Sequence, residues 1–182
     1  CLSVWPSLGF DIQKLYAFQA LVDIDLYRNC PGAAWERVEK TWPELERSGM
    51  LRLTLLETFA TATRGRAALA LARATSTKPP VRRRLLAEAS SQARRLGRSK
   101  ARYALGLGCL LEAGVATVRQ DRQSARDLLL QAEAELARNE LIPWLAVTRL
   151  GLAQMLEGEA ASQKLEAGMA WMKSQQIRRP EC

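Results

Sequence analysis

Apolar positions recur three and four residues apart along nearly the whole chain. Ala34, Val38, Thr41 and Leu45 form one row, and Leu85, Leu86, Ala89, Ala93 and Leu96 a second. Ala125, Leu128, Leu129, Ala132 and Leu136 give the clearest row, and Ala161, Leu165, Gly168, Met169 and Met172 a fourth. That spacing sets one face of an α-helix against a partner. Proline, glycine and turn residues cut the pattern into eight predicted helices, over 11–28, 32–47, 50–75, 80–96, 99–119, 121–139, 143–156 and 159–175. Asn29-Cys30-Pro31-Gly32 stops the first. Pro43 is expected to kink the second or to start a new turn within it. Gly97 suits a C-cap, Asp121 an N-cap, and Pro143 the first turn of its helix.

Most of the intervening links are short, and short links between helices of this length make antiparallel hairpins. Pairing the helices in order gives four hairpins that start near residues 11, 50, 99 and 142. A helix pair repeating every ~40–50 residues is the mark of an α-solenoid. The predicted fold class is therefore all-α, an α-α superhelix of about four helical hairpins of tetratricopeptide-like type, with a closed helical bundle as the alternative. Ala113, Ala116, Ala125, Leu129 and Ala132 supply small or medium residues where that repeat brings two helices close, and Gly106 and Gly108 serve the same approach. Arg149 departs from the pattern, at a position that should be small. The repeat domain is placed at 11–177, with 1–10 continuing from upstream repeats and 178–182 as a tail. Leu15, Phe18, Leu21, Val22, Ile24 and Leu26 make the first helix apolar on more than one side, which suits packing against adjoining N-terminal repeats of the same chain.

Longer stretches carry a sharper signal. Asp25-Leu26-Tyr27-Arg28, Ala33-Ala34-Trp35-Glu36-Arg37 and Trp42-Pro43-Glu44-Leu45, with Leu51-Arg52 beyond, form one set. The ending Ala170-Trp171-Met172-Lys173-Ser174-Gln175-Gln176-Ile177-Arg178-Arg179-Pro180-Glu181 forms another. Both resemble the C-terminal helical-repeat region of large bacterial eukaryotic-like serine/threonine protein kinases, over nearly all of the chain. Similar repeats also end some ATPase-type transcriptional regulators. The resemblance implies a non-catalytic regulatory or partner-docking segment. ATP and Mg would belong to the parent kinase domain, and no cofactor is expected here. The chain has no Gly-rich phosphate loop, no H-R-D and no D-F-G, so no kinase residue carries over.

Composition narrows the chemistry. Of 182 residues none is His, which removes Ser-His-Asp and Cys-His catalysis and imidazole-ligated zinc. Aromatic residues are only 6%, and Ala and Leu dominate the apolar set, as suits packed helices better than a sheet. Cys1, Cys30, Cys109 and Cys182 lack metal-ligand spacing and read as free thiols of a cytoplasmic protein. The chain shows no signal peptide or membrane span, and lacking an initiator Met it reads as a piece of something longer. Glu36 and Glu39, three apart beside Arg37 and Lys40, read as ion-paired surface rather than a metal site.

Charge changes the picture more. The net charge is +8, yet residues 64–122 hold 14 Lys/Arg against 3 Asp/Glu. Arg82, Arg83, Arg84, Arg94, Arg95, Arg98, Lys100 and Arg102 are the candidate partner-docking residues, for an acidic or phosphorylated protein or peptide. The plainer reading is a solvated helix face. Nucleic acid is the weaker alternative, because Tyr103 is the one aromatic at hand for stacking on bases. Trp35 and Trp42, seven apart on one helix face, are candidate aromatic anchors for a peptide, or core residues between hairpins.

Overall fold

The computed structural model describes residues 9–74 and 76–177. The described residues form eight α-helices and no strand: α1 Ile12–Tyr27, α2 Pro31–Arg47, α3 Thr54–Arg73, α4 Pro79–Gly97, α5 Ala104–Val118, α6 Arg122–Arg138, α7 Ile142–Ala153 and α8 Gly158–Ser174. Each helix packs on its successor, and α3 also packs on α1 and α5. Trp5, Cys1, Cys182, Thr75 and the tail 178–182 lie outside the described residues, as do residues 1–8 of the N-terminal segment. No helix of the described residues is long and apolar enough to cross a membrane.

The helix boundaries follow from local chemistry. The N–H of Ser124 donates to Asp121 Oδ1 at 3.0 Å, so Asp121 caps α6, and bonding from Ser124 holds its carboxyl below the usual carboxylate range. Four helices close with one device. Asn29, Gln120, Glu140 and Gln176 each adopt positive φ just past α1, α5, α6 and α8. The N–H of the next residue then reaches back five residues, as in Cys30 to the Asp25 carbonyl at 2.9 Å and Leu141 to that of Leu136 at 3.0 Å. Gly97, expected as a cap of this type, is instead the last helical residue of α4 and is not among the positive-φ positions.

Two predicted starts shift. A 3-10 turn, Met50–Arg52, precedes α3, because Gly49 is left-handed and the Ser48 hydroxyl accepts from Met50 N–H at 3.2 Å. α5 begins at Ala104 rather than near 99: Ser99 Oγ accepts from Ala101 N–H at 3.2 Å, a local turn that competes with helix. α2 runs through Pro43 as one helix, held by buried Trp42 and Leu45 on either side of it.

α3 is the centre of the fold. It buries residues on every side, and most are small: Ala60, Thr61, Ala62, Gly65, Ala67, Ala68 and Ala72. A helix apolar all round is one surrounded by others, and small side chains let α1, α2, α4 and α5 crowd it. Larger residues complete the core, among them the fully buried Leu15, Leu45, Leu85, Leu96 and Leu136. Each stabilises the fold by roughly 1.5–3 kcal/mol relative to exposure. On α1, Leu15, Phe18 and Val22 turn inward, while Ile12, Tyr16 and Ile24 are exposed.

α5 depends on close approach. A Cβ on Gly108 would lie 2.9 Å from the Ala93 carbonyl oxygen and 3.2 Å from the Leu96 Cβ, so α4 runs directly against it. On another side, a Cβ on Gly106 would lie 3.2 Å from the Leu136 backbone nitrogen of α6. The misfit of Arg149 also has an explanation. Its guanidinium lies 3.1 Å from Glu133 of α6, and Lys164 of α8 holds the same carboxylate at 2.7 Å. That ion-paired triad ties the last three helices together.

Candidate docking surfaces

The basic run does not form one patch. α4 separates its two ends, and Arg82 and Arg94 stand about 18 Å apart along the helix at 1.5 Å per residue. At the first end, Arg82 is drawn inward, with Nη2 donating to the Ala74 carbonyl at 3.4 Å. Arg84 faces Glu39 of α2 at 3.5 Å, and Arg83 is exposed. Arg102 is exposed in the turn before α5.

At the other end the structure brings Arg94, Arg95, Arg98 and Lys100 together. They line a cleft of about 620 Å³ with Ser91, Ser99, Thr54 and Glu57. α4 contributes its last turn, where cations also complement the negative end of the helix dipole, and α3 contributes its first. Arg95 is committed, 2.9 Å from Glu57. Among the described residues no carboxylate pairs with Arg94, Arg98 or Lys100. The cleft therefore holds three unpaired cations. Leu53 and Leu55, on either side of Thr54, are 60% and 53% exposed.

Trp35 and Trp42 lie in the core, at 8% and 4% exposure. The Arg64 guanidinium stacks 4.5 Å from the Trp42 ring and pairs with Glu88, which also accepts from Gln92 Nε2 at 2.8 Å. Trp42 Nε1 donates to Glu46 at 2.7 Å. Both rings are spent on joining α2 to α3, and offer a peptide little surface.

Among the described residues, the tryptophan that stands in a groove is Trp144. α3, α5 and α7 line a second hollow of about 260 Å³, with Leu69, Leu110, Val147 and Met155 on its walls. Arg66 covers Trp144 at 4.8 Å and pairs with Asp23 of α1 at 2.8 Å. The signal was present: Trp144, Val147 and Gly151 share one helix face, as do Ala62, Arg66, Leu69 and Arg73.

Glu36 and Glu39 are exposed and ion-paired. Glu36 pairs with Lys40 at 2.7 Å, and that contact lowers its carboxyl below the usual range. Among the described residues no three His, Cys, Asp or Glu side chains gather as metal ligands would. Cys109 is buried, and burial first, then the Glu135 carboxylate, pushes its thiol above the ordinary range. The charged form is disfavoured in the fold, so native Cys109 should resist alkylation at pH 8 while exposed Cys30 reacts. Peptide mapping after iodoacetamide treatment checks this, and rapid Cys109 labelling in the native chain contradicts it. A raised thiol pKa gives stability that is present below the unfolded value and lost as pH climbs toward the folded one. A Cys109→Ala chain should lack that part of the alkaline decline.

Comparison with protein-family models, with curated proteins and with solved structures gives no match to this chain.

Proposed function

We propose that this chain is a non-catalytic scaffold that docks an acidic protein segment, the C-terminal partner-docking part of a cytoplasmic bacterial serine/threonine protein kinase. The observation that carries the docking reading is the corner cleft, where Arg94, Arg98 and Lys100 face solvent without anionic partners. Such a surface favours an acidic partner electrostatically and steers its approach. The order of packing supports a solenoid of helical hairpins. Each helix lies on the next, and α1, α3 and α5 also lie side by side. The kinase assignment rests on the sequence resemblance alone.

The parentage has a direct test. An antibody to this segment should detect a band far above 20.3 kDa in source cells, and the immunoprecipitate should phosphorylate serine or threonine with ATP and Mg. A band near 20.3 kDa would reject the kinase parent and leave a free-standing repeat protein. A large product without kinase activity would favour the ATPase-type regulator. Direct nucleic-acid binding through 64–122 is the remaining alternative. It requires affinity that falls with log salt at a slope of about −0.9 per phosphate neutralised. Against it, Tyr103, the aromatic of the basic stretch, is already stacked on Phe59 with ring centroids 5.9 Å apart.

A further inference from the structure

We infer that the cleft between the first turn of α3 and the end of α4 is a receptor for a phosphorylated serine or threonine side chain of the partner. This deepens the docking reading and rests on it. Three features point to phosphate rather than to acidic side chains in general. First, Arg94, Arg98 and Lys100 place three uncommitted cations on one hollow, more than a single carboxylate neutralises and well matched to a phosphate dianion. Arginine also offers phosphate oxygens two parallel N–H donors. Second, the hydroxyls of Thr54 and Ser99 line the same hollow, and they donate to acceptor oxygens without adding negative charge. Third, the one carboxylate there among the described residues, Glu57, is held by Arg95, so it does not cancel the free cations.

The surroundings select a peptide. Leu53 and Leu55, the chain neighbours of the lining residue Thr54, leave apolar surface exposed, and neighbouring side chains of a phosphopeptide can cover it. A volume of about 620 Å³ exceeds what a lone phosphate fills and admits a phosphorylated side chain with adjoining backbone. Among the described residues no aromatic lines the hollow, which leaves a base nothing there on which to stack.

The test uses the whole chain and four fluorescein-labelled probes: a short peptide with phosphoserine flanked by leucines, its serine and glutamate counterparts, and an oligothymidylate. Binding is read by anisotropy for wild type, for Arg94→Ala/Arg98→Ala and for Arg83→Ala/Arg84→Ala, after thermal melts confirm that all three fold alike. The phosphoserine peptide should bind at least ~10-fold tighter than the serine and glutamate peptides, as charge-assisted pairing to a dianion requires. Its affinity should fall ~10-fold or more in Arg94→Ala/Arg98→Ala and less than ~2-fold in the other pair, because only the first pair removes donors from the cleft. A glutamate peptide that binds equally well, with the same dependence on Arg94 and Arg98, would overturn the phosphate inference and leave acidic docking standing. Equal losses in both variant pairs would overturn the cleft as a site, as would oligothymidylate binding tighter than the phosphopeptide. Absence of binding to every probe would overturn the inference and the acidic-docking reading together.

Discussion

A Gly108→Val chain should melt roughly 6–12 °C below wild type, since ~3 kcal/mol of overpacking shifts a domain of this size by ~2–4 °C per kcal/mol. The sign is informative, because propensity argues the other way. Valine is a better helix former than glycine by a few tenths of a kcal/mol. The loss comes from tertiary contact: the first added carbon would meet the Ala93 carbonyl oxygen at 2.9 Å and the Gly97 nitrogen at 3.3 Å. Both are backbone atoms of α4, which cannot swing aside as a side-chain tip can. Gly32 of α2 is the control, since a Cβ there meets nothing within 4 Å. Gly32→Ala should leave the melting temperature unchanged or raise it slightly. Calorimetry on the two variants checks the pair, and a Gly108→Val chain that melts with wild type would mean that α4 and α5 are not in contact at this point.

Arg64→Met should cost about 2–4 kcal/mol, the sum of a partly buried cation–ring contact and a half-buried carboxylate left without its cation. Methionine keeps much of the length and apolar stem of arginine, so the loss reports the guanidinium. That group lies 4.5 Å over the Trp42 ring and 6.0 Å over that of Trp35, and it pairs with Glu88 of α4. Removing it unties α2 from α3 and α3 from α4 at once. Arg64→Lys should recover less than half of the loss, because an ammonium neither stacks flat nor forks. In urea the midpoint should drop by ~1–2 M with m unchanged, which separates lost stability from a change in the unfolded ensemble. A loss below ~1 kcal/mol in Arg64→Met would place the stability of this corner in the Trp42 packing alone.

Arg64 also shows what charge counting cannot reach. It lies within the basic stretch of the sequence, yet its side chain is only 22% exposed and serves the core. Arg82 is turned inward in the same way, and Arg84 and Arg95 are paired. Of the eight cations read as one patch, four meet in the cleft, because a helix of the length of α4 carries its two ends apart. Helix positions were far more legible. A period of 3.6 is imposed by burial, so rows such as Ala125, Leu129, Ala132 and Leu136 mark α6 directly, and all four are buried. Helix ends were less so. The left-handed cap falls on Asn29, Gln120, Glu140 and Gln176, where the closing hydrogen bonds outweigh the Cβ cost that makes glycine the expected residue. The tryptophans divide by neighbours that sequence does not reveal: Trp42 lies beneath Arg64 in the core, and Trp144 beneath Arg66 in a groove.

The most direct test of docking is selection from a random peptide library displayed on phage, followed by titration of the enriched peptide against wild type and Arg94→Ala/Arg98→Ala. Docking at the cleft predicts enrichment of acidic sequences whose affinity weakens with salt and falls at least several-fold in the variant, as unpaired surface cations would dictate. Failure to enrich any sequence, together with no binding of the phosphoserine peptide, or enrichment of peptides that bind both chains equally, would contradict it.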